Sequence, residues 1–266
     1  MKVKDIQKEL ESYSTPEKKE FLPCFFKTGK GQYGEGDEFM GVVVPDIRKV
    51  AKKYKDIPLA GLTGLLKSKY HECRLCALCI LVERFKKAKE TERKEIYDYY
   101  LSQTGYINNW DLVDLSAKDI VGEYLVDKDR SVLYKLAESD LLWDQRISIL
   151  ATFAFIRRGD LVDIFALSEK LLRHKHDLMH KAIGWMLREA GKKDKDKLCT
   201  FLDRYHKEMP RTMLRYSIEK FSPEERSHYM KRTCKNSANE HETTFGEANM
   251  LESLVTVKKT NYIHMK

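Results

Sequence analysis

Proline and glycine are scarce in this chain, 6 and 13 of 266 residues. That scarcity argues against a turn-rich β architecture and favours helices. No run of about 18 apolar residues occurs, so no membrane span is expected. The N-terminus, MKVKDIQKELESY, is charged and amphipathic, without the apolar core of a secretory signal. The expected compartment is therefore the cytoplasm. There the six cysteines read as reduced thiols, not as a disulfide framework. Strict apolar alternation is missing as well. GVVVP at 41–45 is the only strand-like piece, and it is short.

What the chain does have is charge and helical periodicity. It is 42% hydrophobic and 34% charged, with a net charge of +8. It can bury a core, and its excess of Lys and Arg suits a polyanionic partner. The periodicity predicts helices over 2–12, 16–27, 46–55, 59–68, 70–88, 91–102, 109–126, 130–138, 142–157, 161–173, 177–190, 194–206, 210–220 and 223–232. Thr15-Pro16, Asp160, Asp194 and Ser222-Pro223 supply start signals.

A repeat runs through these helices. RLCALCILVERF begins at Arg74, WDLVDLSAKDIV at Trp110, RISILATFAFIR at Arg146, KAIGWMLREAGK at Lys181 and RYSIEKF at Arg215. Each copy is mostly apolar, and a more polar helix separates it from the next. A two-helix unit recurring at this period predicts an all-α fold, an α-solenoid in which each unit buries its face on its neighbours. Equivalent positions should then line one curved surface. Trp110 aligns with Arg146, Lys181 with Arg215, and Asp114 with Trp185. The repeat domain is expected over 1–232. The polar tail 233–266 continues no repeat and is expected to be disordered or loosely docked.

Several constellations invite chemistry. Cys73-x2-Cys76-x2-Cys79 resembles part of an iron–sulfur run, but no fourth cysteine follows. Cys79 joins Leu75, Leu78 and Val82 on an apolar stripe, so these thiols read as small core residues. His176 and His180 are one helical turn apart, without the Glu and third ligand of a zinc protease. His176 and Asp177 read instead as a helix start. The loop GKGQYGEG at 29–36 lacks the order of a phosphate-binding loop, and Glu35, Asp37 and Glu38 would repel phosphate. It reads as a flexible connection. No metal or cofactor is indicated. Arg173, Lys175, Lys181, Arg188, Lys192, Lys193, Arg211 and Arg215 cluster late, either as a solvated face or as a contact for a DNA backbone.

The stretch INNWDLVDLSA at 107–117 poses a sharper question. On a helix, Trp110, Asp114, Ala117, Val121 and Tyr124 share one face. Asp111 lies in the first turn, where an acid complements the helix dipole. Asp114 is an acid among apolar neighbours, which is costly unless paired. It either bridges to Arg146 or Arg74 in an adjacent repeat, or it has a functional role.

INNWDLVDLSA, LLWDQRISILATFAFIR and HKAIGWMLREAGK resemble the AlkD family of DNA alkylation-repair glycosylases, and GKGQYGEGDEFMG with the VPDIRK that follows it is similar to the wider family. The resemblance spans roughly residues 1–232. It implies a solenoid of HEAT-like repeats wrapping duplex DNA on a concave basic face. It implies that Asp114 is the catalytic aspartate, and that Trp110 and Trp185 contact the damaged nucleotide. Arg146 and Arg188 match family arginines that contact the DNA backbone. Phe25, or else Phe26, stands where the family has a tyrosine, so the ring survives and the hydroxyl does not. With no lysine in the matching positions, the resemblance implies a monofunctional glycosylase acting on N3- and N7-alkylated purines, expected as a monomer. The rivals are a non-catalytic module for bent or branched DNA and a protein-interaction scaffold.

Overall fold

The computed structural model describes residues 3–231; the tail 233–266 lies outside them. The helices are α1 (Val3–Glu11), α2 (Pro16–Phe25), α3 (Val44–Lys53), α4 (Leu59–Leu66), α5 (His71–Lys87), α6 (Glu90–Ser102), α7 (Trp110–Ala117) and α8 (Ser131–Ala137). They continue with α9 (Leu142–Ala151), α10 (Phe153–Arg157), α11 (Val162–Lys170), α12 (Asp177–Lys193), α13 (Lys195–Tyr205), α14 (Arg211–Ser217) and α15 (Pro223–Met230). The described residues form an all-α solenoid of helical repeats. The helix α3 packs on α5, α5 on α7, α7 on α9, α9 on α12 and α12 on α14. This row carries all five copies of the sequence repeat. The alternate helices α4, α6, α8, α11 and α13 pack along the row, and together they enclose a continuous apolar core.

Local signals set most boundaries. Pro16 opens α2, the Asp194 carboxylate accepts the Lys197 N–H at α13, and Ser222 and Glu225 form a reciprocal cap at α15. Two expected helices are interrupted. The 109–126 helix turns into a π-turn over Lys118–Gly122. The 142–157 helix breaks at Thr152, whose hydroxyl donates to the Ile149 carbonyl at 2.6 Å. A Cβ on Gly122 would collide with the Ala151 carbonyl, so the π-turn and this break fit together.

The strand-like GVVV makes no strand, and the described residues contain only one isolated bridge, Glu38 to Tyr70. The physical reason lies on α5. The buried Glu72 carboxylate accepts the backbone N–H groups of Met40 (3.0 Å), Gly41 (2.8 Å) and Val42 (3.2 Å). Donors that would have joined a ladder are taken by a side chain.

The row is packed tightly enough that one side chain can open it. A Cβ on Gly184 of α12 would lie 2.5 Å from the Met213 carbonyl oxygen of α14. Gly184→Val should therefore force α12 from α14 and lower stability by about 1–3 kcal/mol, the usual cost of overpacking. A urea titration checks this; an unchanged midpoint would contradict the close approach.

Candidate active site

Asp114 and Arg146 meet at the centre of the row. Asp114 occupies the fifth position of α7, and Arg146 the fifth position of α9. The Arg146 Nε donates to Oδ1 at 2.8 Å and its Nη2 to Oδ2 at 2.9 Å, a bidentate pair. Nη1 of Arg146 donates to the Leu178 carbonyl in the first turn of α12 at 2.5 Å. One guanidinium thus ties three successive row helices. The carboxylate is the more accessible partner, 14% exposed against 5% for the arginine side chain. Lys118, one turn past Asp114, donates from Nζ to the Asp114 backbone carbonyl at 2.6 Å.

Trp110 begins α7, one turn before Asp114. Its ring stacks on Phe26 at 5.3 Å and meets Phe25 edge-on at 6.0 Å. Leu22, Phe26 and Phe39 form a small core of their own under Trp110. The indole Nε1 donates to the Tyr33 hydroxyl at 3.1 Å, and the Tyr33 ring lies edge-on to Trp143 at 6.2 Å. Burial raises the Tyr33 phenol, with the Trp110 bond opposing it.

Beneath these rings is a buried charge cluster. His71 Nε2 is 2.9 Å from Asp111 Oδ2, and its Nδ1 is 3.6 Å from Asp37 Oδ2. The Arg74 Nη2 pairs with Asp37 Oδ1 at 2.6 Å. Phe26 and Phe39 pack against the imidazole, with ring centroids 4.9 and 4.8 Å away. Burial alone would push the His71 imidazole down. The charge of Asp111 and the bonds to Asp111 and Asp37 outweigh it, and the imidazole is pushed up to about 9. Burial would raise the Asp37 carboxyl, but His71 and Arg74 hold it below the usual carboxylate range.

The sequence profile of the family described as "DNA alkylation repair enzyme" matches residues 6–221. The chain belongs to that family. A solved structure described as "Predicted DNA alkylation repair enzyme from Enterococcus faecalis" is similar in fold, with a TM-score of 0.60 at 14% identity. The match covers 79% of this chain and 97% of that one. No curated protein matches. Membership makes DNA the partner of this family member and alkylation repair its role.

The other expected site residues are dispersed along the row. Trp185 is half-buried on α12 and packs against Phe153 at 6.4 Å. Arg188 donates to Glu219, and Lys181 pairs with Asp177 at 2.5 Å. Arg215 is exposed on α14. Phe25 lies beside Trp110 as described, while Phe26 is fully buried.

The resemblance implies that Arg146 contacts the DNA backbone; in the structure it is buried, with Nε, Nη1 and Nη2 all donating within the protein. Asp111 lies in the first turn of α7, as the sequence predicts, and is fully buried on His71. The Asp114 bridge goes to Arg146, and Arg74 goes to Asp37 instead.

Sequence reasoning missed Tyr33, Asp37, His71 and Trp143. The glycine loop's acids were legible only as repulsive to phosphate; nothing local says that Asp37 would turn inward. The remaining motifs resolve into structure. His176 caps α12, accepting the Leu178 N–H at 3.1 Å. His174 Nε2 lies 2.7 Å from Gln145 Oε1, and His180 bonds the His174 carbonyl. Cys73, Cys76 and Cys79 are buried in the core, and burial pushes the Cys73 thiol up to about 12. Among the described residues, no group of three His, Cys, Asp or Glu is arranged to hold a metal ion, and no helix is long and apolar enough to cross a membrane.

The charge cluster makes stability depend on pH. A raised imidazole stabilises the fold fully below its ordinary value of 6.5, and that contribution is lost as pH rises through about 9. A lowered Asp37 contributes above its ordinary 3.8 and loses this only in acid. Unfolding free energy should therefore fall between about pH 6.5 and 9. His71→Gln should flatten that slope in urea titrations; an equal slope in both proteins would remove His71 as its source.

Proposed function

We propose that the chain is a monofunctional DNA glycosylase that hydrolyses the N-glycosidic bond of N3- and N7-alkylated purines. The chemistry suits a site with one carboxylate and few acids or bases to spare. Such an alkylated base is cationic and leaves without being protonated. As its bond to C1′ breaks, positive charge develops on the sugar. A fixed anion stabilises that oxocarbenium-like state, and the same carboxylate orients the attacking water. Asp114 fills both roles. Indole faces attract the cationic sugar, a part for Trp110 and Trp185. Arg188, Lys181 and Arg215 contact the phosphate backbone.

One observation supports this reading: within the Asp114–Arg146 pair, the carboxylate is the more accessible member, 14% exposed against 5%. A carboxylate has about four lone-pair directions, and Arg146 takes one on each oxygen. The arginine then acts as an orienting partner, fixing the anion while leaving lone pairs for sugar and water. The same bridge favours a second reading. A fully paired acid could simply join two helices in a module that binds DNA without cutting it.

Asp114→Asn separates the two. Its amide oxygen still accepts from Arg146, but the negative charge is gone. Release of 7-methylguanine from methylated duplex DNA should fall tenfold or more, about 1.4 kcal/mol of barrier, with salt-sensitive DNA binding retained. Reduced stability with unchanged release per folded molecule would establish the purely structural reading.

A further inference from the structure

The glycine-rich loop at 29–36 is built, and what it presents is Tyr33. Its backbone closes on itself: the Gln32 N–H donates to the Gly29 carbonyl at 3.0 Å, and the Glu35 N–H to Gln32 at 3.1 Å. The Glu35 carboxylate accepts the Gly31 N–H at 2.7 Å. Gly31 and Gly36 take φ of 75° and 84°, a region glycine enters without strain. At one end the loop is pinned to the end of α2, where the Gly34 N–H donates to the Lys27 carbonyl at 3.1 Å. A Cβ on Gly34 would lie 2.6 Å from the Phe26 carbonyl oxygen, so only glycine fits that approach. At the other end Asp37 is held by Arg74 in the buried cluster. A merely flexible connection needs neither anchor.

Between these anchors the loop carries Tyr33 back across the row. The hydroxyl takes the Trp110 indole N–H, and the ring reaches Trp143 at the start of α9. Arg146 is near enough for its charge to act on that hydroxyl. Trp110 also packs against Phe25 and Phe26, contacts without a hydrogen bond's directionality. A hydrogen bond at Nε1 fixes it in one orientation.

We propose that Tyr33 is a positioning residue for the glycosylase reaction, its hydroxyl holding Trp110 in register with Asp114. The proposal rests on the function argued above.

Tyr33→Phe in the full chain tests it, since the ring stays and only the acceptor goes. The protein has three tryptophans, so the Trp110 indole N–H resonance of nitrogen-15-labelled protein is assignable with Trp110→Phe. In Tyr33→Phe that resonance should move upfield and its proton should exchange faster with solvent. The melting temperature should stay within about 2 °C, no more than the shift a kilocalorie of lost stability brings in a chain of this size. Single-turnover release of 7-methylguanine should fall about fivefold, the worth of one neutral hydrogen bond, at unchanged DNA affinity. An unchanged Trp110 resonance would overturn the proposal, and so would a shifted resonance with wild-type release. If the wild-type chain itself releases no base, the function fails on that control alone, and the resonance still decides whether Tyr33 holds Trp110.

Discussion

Everything at the centre of this molecule depends on one guanidinium. Arg146 reaches from α9 to the Asp114 carboxylate on α7 and to the Leu178 carbonyl on α12. Its donors face acceptors on both neighbouring helices, so the spacing of three repeats is fixed by one side chain. A buried arginine is tolerable only with such partners, because an unpaired buried charge is very costly. The sequence must therefore keep acid and base together, and the acid is held in one orientation as a consequence.

A second buried cluster does for the neighbouring segments what Arg146 does for the row. His71 and Arg74 from α5, Asp111 from α7 and Asp37 from the end of the glycine loop form one buried cluster. The two carboxylates push the imidazole up to about 9, against burial and the charge of Arg74. Asp37 brings the loop with it, and the loop brings Tyr33 to Trp110. Stability and site geometry are linked through that chain of contacts. Glu72, one residue from His71, holds the next stretch by its backbone N–H groups.

Two acids three residues apart show how far local reasoning reaches. Asp111 and Asp114 stand on one short helix beside the same tryptophan. Helical phase separates them, and it puts Asp114 on one face with Trp110, Ala117 and Val121. Phase does not tell what each meets. Asp111 turns into the protein onto a histidine 40 positions earlier, and Asp114 meets an arginine 32 positions later. Both partners lie in other repeats, beyond any pattern in the stretch itself.

The sequence by itself determined the helices, the two-helix period and the row on which the repeat copies sit, because these follow from apolar spacing and local capping. It also singled out Trp110, Asp114, Arg146 and Trp185, through their places in that period and a family resemblance. Only the tertiary structure decided that Arg146 is buried on Asp114, that GVVV gives its donors to Glu72 instead of a strand, and that the glycine loop delivers a tyrosine to the site. Each of these is a pairing of polar groups across long stretches of chain. Such pairings are chosen by the need to satisfy buried donors and charges once the core has formed, and a single stretch of sequence carries no record of that choice.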